Sequence, residues 1–282
     1  MLHQGTFGNE RIHDRFDQRA ADDRIVSSGQ LRKHEQFRSK YLRNQRTVVV
    51  YLPPGYDEQP WRHFAVLYLH DGQNLFEGAT AFVPGQDWHV GQTADAVIGR
   101  GEAEPLIIVG IYNTGKSRIR EYTPTKVPKL GGGRANSYAK FLIEELKPFI
   151  EREYRTLSGP QHTGMGGSSL GGLVSLYLGL KHAAIFGRIA ALSPSVWWNQ
   201  RVMARFAAGA EVSPRPRVWL DIGTREGPRI VPDVEQFRDV LLRKGWRLDD
   251  DLHYERVEGA EHNEAAWAQR VGPFLRFLFP AR

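Results

Sequence analysis

The pentapeptide Gly167-Ser168-Ser169-Leu170-Gly171 carries the clearest chemistry in this chain. A serine hydroxyl becomes an effective nucleophile when a base takes its proton and an acid holds that base in one tautomer. The G-x-S-x-G spacing presents such a serine on a sharp turn between a strand and a helix, and the crowding of that turn accounts for the two glycines. The flanking residues agree with this setting. His162 to Gly167 read as a short buried strand, and Gly171 to Leu180 are apolar with helical spacing. Ser169 is therefore the expected nucleophile. Gly/Ser clusters are also ordinary loops, so the weight falls on the partners.

Both partners follow downstream. Arg217 to Gly223 read as a strand, and Thr224-Arg225-Glu226-Gly227 continues as a loop bearing a carboxylate. His253 to Val257 read as another strand, ending in Glu258-Gly259-Ala260-Glu261-His262-Asn263. A histidine in a loop after the last strand suits a general base, and His262 takes that role. Glu226 ranks first as the acid, because beyond a strand end its side chain can turn toward the histidine. Asp221 lies within a strand, where the pleat fixes its direction, and Asp233 is a third candidate. The chain order Ser169, Glu226, His262 is that of the α/β-hydrolases. Of the ten histidines, His63, His182 and His253 read as surface or loop residues, His162 as structural, and His70 and His89 as loop residues approaching the site.

Acyl transfer also needs donors for the oxyanion. One is the backbone N–H of the residue after the nucleophile, here Leu170. The second is expected from the loop after the apolar strand Phe64 to Leu69, where His70-Asp71-Gly72-Gln73-Asn74 follows, and the N–H of Gln73 is assigned to it. Gly72 would let the backbone approach substrate closely; the plainer alternative is that Asp71-Gly72 is only a turn. Asp71, Gly72, Trp88, Trp197 and Trp198 are expected to line the substrate site, with core packing the alternative for the aromatic rings.

The elements that must position these residues alternate along the chain. Apolar strands are expected near residues 47–52, 64–70, 105–112, 162–167, 187–193, 216–222 and 252–257, separated by helix-like stretches. Ser137 to Tyr154 carries a helical apolar stripe, and Val231 to Lys244 and Glu264 to Phe279 read similarly. Such alternation implies an α/β fold, a mostly parallel central sheet with helices on both faces, and places sites beyond the carboxyl ends of the strands. The proposed catalytic residues all fall there. Gly131-Gly132-Gly133-Arg134 lacks the lysine and serine of a phosphate-binding loop and reads as a flexible connection.

Five segments resemble a known family: Tyr51 to Tyr56, Leu69 to Phe76, Glu121 to Pro124, Gly167 to Gly172, and Glu258 to His262. They are similar to the esterase family that includes esterase D (S-formylglutathione hydrolase), enterochelin-type siderophore esterases, feruloyl and acetyl xylan esterases, and mycobacterial mycolyltransferases. The resemblance covers residues 30 to 280 and implies the α/β-hydrolase fold. It maps Ser169 to the nucleophile, His262 to the base, and Leu170 and Gln73 to the oxyanion donors. Many members carry aspartate as the acid, whereas Glu226 matches the glutamate of the mycolyltransferases. The resemblance implies a serine carboxylic ester hydrolase working through an acyl-enzyme on a small ester: an acetylated or aryl-acylated sugar, or a siderophore-like ester. The alternatives are an acyltransferase on the same machinery and a non-catalytic ligand-binding module. Membership fixes chemistry without fixing substrate.

Composition sets the outer bounds. The 282 residues, 41% hydrophobic, suffice for one sizeable α/β core, and a single domain over 1–282 with a polar N-terminal extension over about 1–28 is expected. No apolar signal segment opens the chain and no run reaches membrane-spanning length, so a cytoplasmic enzyme with no membrane partner is expected. With zero cysteines there is no thiol chemistry and no disulfide. No metal and no cofactor is expected. Net charge is +6, and Arg32, Lys33, Arg38, Lys40, Arg43 and Arg46 crowd an early segment. That segment reads as the solvated face of an antiparallel hairpin rather than a nucleic-acid surface.

Overall fold

The computed structural model describes residues 28–281, so all but the last residue of the extension expected over about 1–28 lies outside the described residues. Ten strands are present among them: β1 (Gln30–Arg38), β2 (Gln45–Leu52), β3 (Ala65–His70), β4 (Leu106–Ile111), β5 (Lys126–Val127), β6 (Gly131–Gly132), β7 (Thr163–Ser168), β8 (Arg188–Leu192), β9 (Arg217–Gly223) and β10 (Leu252–Val257). Eight form one sheet in the order β1-β2-β4-β3-β7-β8-β9-β10. The β1–β2 and β2–β4 pairs are antiparallel and every other pair is parallel. The basic early segment is the edge hairpin β1–β2 with its turn: Arg32, Lys33, Arg38, Lys40 and Arg43 are exposed as a solvated face requires, whereas Arg46 is buried and pairs with Glu121 at 2.9 Å. Gly131-Gly132 is not a free connection: it pairs antiparallel with Lys126-Val127 as a small separate ribbon.

Side chains alternate across the sheet as the pleat requires. On β3, Val66 and Tyr68 join one core while Leu67 and Leu69 join the other. On β9, Val218, Leu220 and Ile222 face the first core, whereas Trp219 faces the second. The helices Leu170–Lys181, Trp198–Gly209 and Ile230–Arg243 cover the first face, and Val90–Gly99 and Val271–Leu278 the second. β3 and β4, inside the sheet, are buried along their whole length, so their sequences are nearly continuous apolar runs rather than alternating ones, whereas β10 at the edge is partly exposed.

Two helical expectations needed revision. The stripe over residues 137–154 is an α-helix at Ala135–Lys140, a π-helical stretch at Phe141–Leu146 and an α-helix at Lys147–Glu153. The single helix expected over 264–279 is two, Glu264–Ala268 and Val271–Leu278. Pro273 explains the break, because it has no N–H for the carbonyl of residue 269 and its ring crowds that carbonyl. The interruption turns Arg270 inward, where it is buried.

Candidate active site

Three adjacent interior strands are followed at their carboxyl ends by residues with positive φ: Asp71 after β3 (φ 57°), Ser169 after β7 (φ 57°) and Ser193 after β8 (φ 44°). For residues other than glycine each such conformation costs about 1–3 kcal/mol and persists where surrounding contacts over-determine it. At Ser169 the chain leaves β7, passes through φ 57°, ψ −120°, and enters the helix Leu170–Lys181. The flanking glycines sit in close quarters, where a side chain would press on its neighbours. A Cβ on Gly167 would lie 3.2 Å from Gly171 Cα and 3.2 Å from His70 Cβ.

Ser169 and His262 line one cleft of about 440 Å³ with Asp71, Gln73, Phe82, Arg118 and Trp267. His262 Nδ1 is 2.7 Å from Glu226 Oε2, so Nε2 is the ring nitrogen not engaged by the carboxylate. Ser169 Oγ lies 3.3 Å from Ser195 Oγ, and the Ser195 N–H donates to the Ser169 carbonyl at 3.0 Å. The His262 ring meets Trp267 edge-on, with centroids 4.8 Å apart. Burial alone would raise the Glu226 pKa. Hydrogen bonds from His262, Ser193 Oγ and the Gly223 N–H outweigh burial and hold the carboxyl below its usual range.

The other two acid candidates are engaged elsewhere. Asp233 pairs with Arg201, Nε to Oδ1, at 2.5 Å. Asp221 is fully buried and accepts hydrogen bonds from Arg270 Nη1 at 2.6 Å, Trp219 Nε1 at 2.7 Å and the Ser193 N–H at 3.0 Å. Burial pushes its pKa up to about 6, against the pull of Arg270 and the other donors.

The loop opposite Ser169 is tightly staked. Asp71 accepts Arg118 Nε at 2.8 Å and Arg118 Nη2 at 2.7 Å, together with Asn113 Nδ2 at 2.8 Å. The Asn113 N–H donates to Gln73 Oε1 at 3.2 Å, and Thr80 Oγ1 donates to the Gln73 carbonyl at 2.7 Å. Gln73 is thus held at both its side chain and its carbonyl. Among the described residues, neither the N–H of Gln73 nor that of Leu170, the two donors assigned to the oxyanion, has a backbone acceptor outside its own helix. Asp71 itself lines the cleft with its carboxylate occupied, and acts on the loop rather than as a free acceptor.

The aromatic residues divide. Trp88, expected at the substrate site, is buried in the second core against Trp267, with centroids 5.9 Å apart. Trp198 is likewise buried, its Nε1 donating to the Thr125 carbonyl at 3.0 Å. Trp197 is half-exposed beside it, and none of the three lines the cleft. Indole rings near a strand end satisfy either a core or a cleft, and here the core takes two of them. Phe82, 81% exposed at the cleft, and Trp267 are the aromatic residues there instead. His70 is not a loop residue: it ends β3 fully buried, with Nδ1 3.0 Å from Tyr138 Oη. His89 is exposed and lies 3.1 Å from Asp87. Sequence reasoning missed Asn113, Arg118 and Arg270 altogether, and Pro273 was the one local signal for Arg270.

Comparison with known proteins agrees with this architecture. A family model described as "Putative esterase" matches residues 39–277. The uncharacterized protein YbbA of Bacillus subtilis (strain 168) is 25% identical over 254 residues, 86% of this chain and 95% of that protein. The ferri-bacillibactin esterase BesA of the same organism is 33% identical over 182 residues, covering 58% of this chain and 60% of the relative. The crystal structure of the BES protein from Bacillus cereus shares the fold with a TM-score of 0.69 at 21% identity, covering 98% of this chain and 99% of that one. With a family model spanning most of its length and a largely parallel sheet of matching architecture, the chain belongs to this esterase family of α/β-hydrolase-fold proteins.

Proposed function

We propose that the protein hydrolyses a small carboxylic ester through an acyl-enzyme on Ser169. Ser169 Oγ attacks the ester carbonyl carbon as its proton passes to His262 Nε2, and the oxyanion is received by the N–H groups of Leu170 and Gln73. The imidazolium, stabilised by Glu226, then gives that proton to the departing alcohol oxygen as the C–O bond breaks. Water attacks the acyl-enzyme with His262 again taking a proton, and Ser169 departs with its proton restored. The observation that carries this reading is the common cleft of Ser169 and His262, with the imidazole already bonded to Glu226 through the opposite nitrogen.

The His262 side chain is 42% exposed, so water can reach the base for deacylation, as hydrolysis requires. The cleft wall combines Phe82 and Val83 with Gln73, Asn113 and Arg118, which suits an ester bearing both an aryl group and polar substituents. Together with the likeness to a siderophore esterase, this supports a siderophore-like or aryl-acylated ester over a simple acetate. A fluorophosphonate probe should label Ser169, and Ser169→Ala should lower kcat on p-nitrophenyl acetate by about 10³-fold or more with the fold intact. Labelling at Ser168 or Ser195 instead, or full activity of Ser169→Ala, would refute the assignment. Rates on siderophore, feruloyl and acetylated-sugar esters, with and without alcohol acceptors, distinguish the substrate classes and hydrolysis from transfer.

A further inference from the structure

Glu226 is held by a hydroxyl whose proton has only one place to go. Ser193 Oγ receives a hydrogen bond from Trp267 Nε1 at 3.1 Å and another from Arg270 Nη1 at 2.9 Å. A hydroxyl has two acceptor lone pairs and one proton, whereas indole and guanidinium only donate. Both lone pairs are therefore occupied, and the Ser193 proton must point at its remaining neighbour, Glu226 Oε1. The Gly223 N–H adds a second donor to Oε1 at 2.9 Å. With Oε1 saturated by donors, Oε2 is left to receive His262 Nδ1.

The cluster behind this contact is buried and charged. Asp221, Glu226 and Arg270 are all buried, and Arg270 Nη2 lies 3.9 Å from Glu226 Oε1. Two carboxylates and one guanidinium leave one net negative charge, which an imidazolium at His262 would balance. Ser193 is also held in an uncommon backbone conformation, φ 44°, its N–H shared between the Asp221 carbonyl at 3.1 Å and Asp221 Oδ1 at 3.0 Å.

We propose that Ser193, with its hydroxyl oriented by Arg270 and Trp267, is a positioning residue that keeps Glu226 ionised and aimed at His262. This inference rests on the reading of Ser169, His262 and Glu226 as nucleophile, base and acid. Besides Glu226, the charged groups near His262 include Glu261 before it on the same loop, Asp71, Arg118 and Glu264 on the cleft wall, and Asp221 and Arg270 behind the acid. Asp71 and Arg118 neutralise each other, so the buried cluster dominates the balance.

The test uses Ser193→Ala, Ser193→Gly and Asp221→Asn in the full chain, with p-nitrophenyl acetate kinetics across pH and thermal unfolding. Ser193→Gly relieves the left-handed backbone and so keeps the fold even if Ser193→Ala does not. Both serine variants should lose about tenfold or more in kcat with KM nearly unchanged. Removing a donor that favours negative charge should move the acid limb of kcat/KM to higher pH, and Asp221→Asn, which removes negative charge, should move it lower. Arg270→Lys should retain more kcat than Arg270→Gln. A folded Ser193→Gly with kcat within twofold of the parent overturns the proposal, as does a fall in kcat with an unmoved acid limb. Fluorophosphonate labelling of Ser169 in the parent keeps the two questions apart: without it the underlying reading fails, and with it only this inference is at stake.

Discussion

Glu226 Oε2 lies 2.7 Å from His262 Nδ1, with the acid side chain 1% exposed and the base 42% exposed. The buried partner is fixed and the exposed partner lines the cleft, so the hydrogen bond ties His262 to the core. Glu226→Gln preserves shape but removes the charge that stabilises an imidazolium and disturbs the tautomer. It should lower kcat at least about tenfold more than Asp221→Asn, a difference of roughly 1.4 kcal/mol in transition-state stabilisation. Steady-state kinetics of the two variants, with unfolding curves as controls, checks this. A larger loss at Asp221 in a folded protein would move the acid into strand β9.

Phe82 gives a separable effect on binding. Its ring is 81% exposed at the cleft, while its N–H is anchored by Asn74 Oδ1 at 2.9 Å, so its truncation leaves the loop in place. Phe82→Ala should raise KM several-fold, by roughly 1 kcal/mol of lost contact, for aryl esters and much less for acetyl esters. Kinetics on matched feruloyl and acetyl substrates would show it. An equal change for both classes would place the aryl group elsewhere.

The alternation of apolar runs made the sheet legible, and strand ends followed by Ser169, Glu226 and His262 marked where chemistry collects. What the sequence hid depends on side-chain direction and distant contacts. Trp88 and Trp198 sit beside site residues in the chain but point into the two cores, and no spacing rule distinguishes an indole facing a cleft from one facing a helix. Arg118 reaches Asp71 across 47 residues, a pairing invisible to local pattern. Arg270 was concealed by an apolar stripe that looks continuous across a helix break, although Pro273 is the residue that breaks it.

His70 predicts how stability depends on acidity. Burial lowers its pKa from 6.5 to about 4, with Asp71 opposing and Arg118 and Arg46 reinforcing. A group that binds its proton more weakly in the folded state makes folding more favourable as pH rises. The contribution of neutral His70 is fully present above 6.5 and is lost as pH falls toward 4, a change on the order of 3 kcal/mol. His70→Asn keeps a partner for Tyr138 and cannot titrate. Urea unfolding between pH 7 and pH 4 should therefore show a shallower fall for the variant than for the parent, with the titrations of Asp221 and Glu226 common to both. Parallel curves would mean that His70 charges in place.

Gly72 tests the oxyanion assignment through the backbone. A Cβ there would lie 2.5 Å from the Gly110 carbonyl carbon and 2.6 Å from the Ile111 nitrogen. These atoms belong to β4, which is hydrogen-bonded on both sides by β2 and β3, so the loop carrying Gln73 must give way instead. Removing one oxyanion donor costs about 10²–10³-fold in kcat, and Gly72→Ala should approach that loss with a smaller change in KM. Gly91→Ala is the control. That glycine lies in the helix Val90–Gly99 with no neighbour closer than 3.7 Å to an added Cβ, so alanine should leave kcat unchanged and stabilise the helix by about 0.5–1 kcal/mol. The labelling rate of Ser169 by a fluorophosphonate, whose phosphoryl oxygen occupies the oxyanion position, should fall with kcat in Gly72→Ala. If the variant folds and both rates stay at the parent level, the second donor is not the N–H of Gln73.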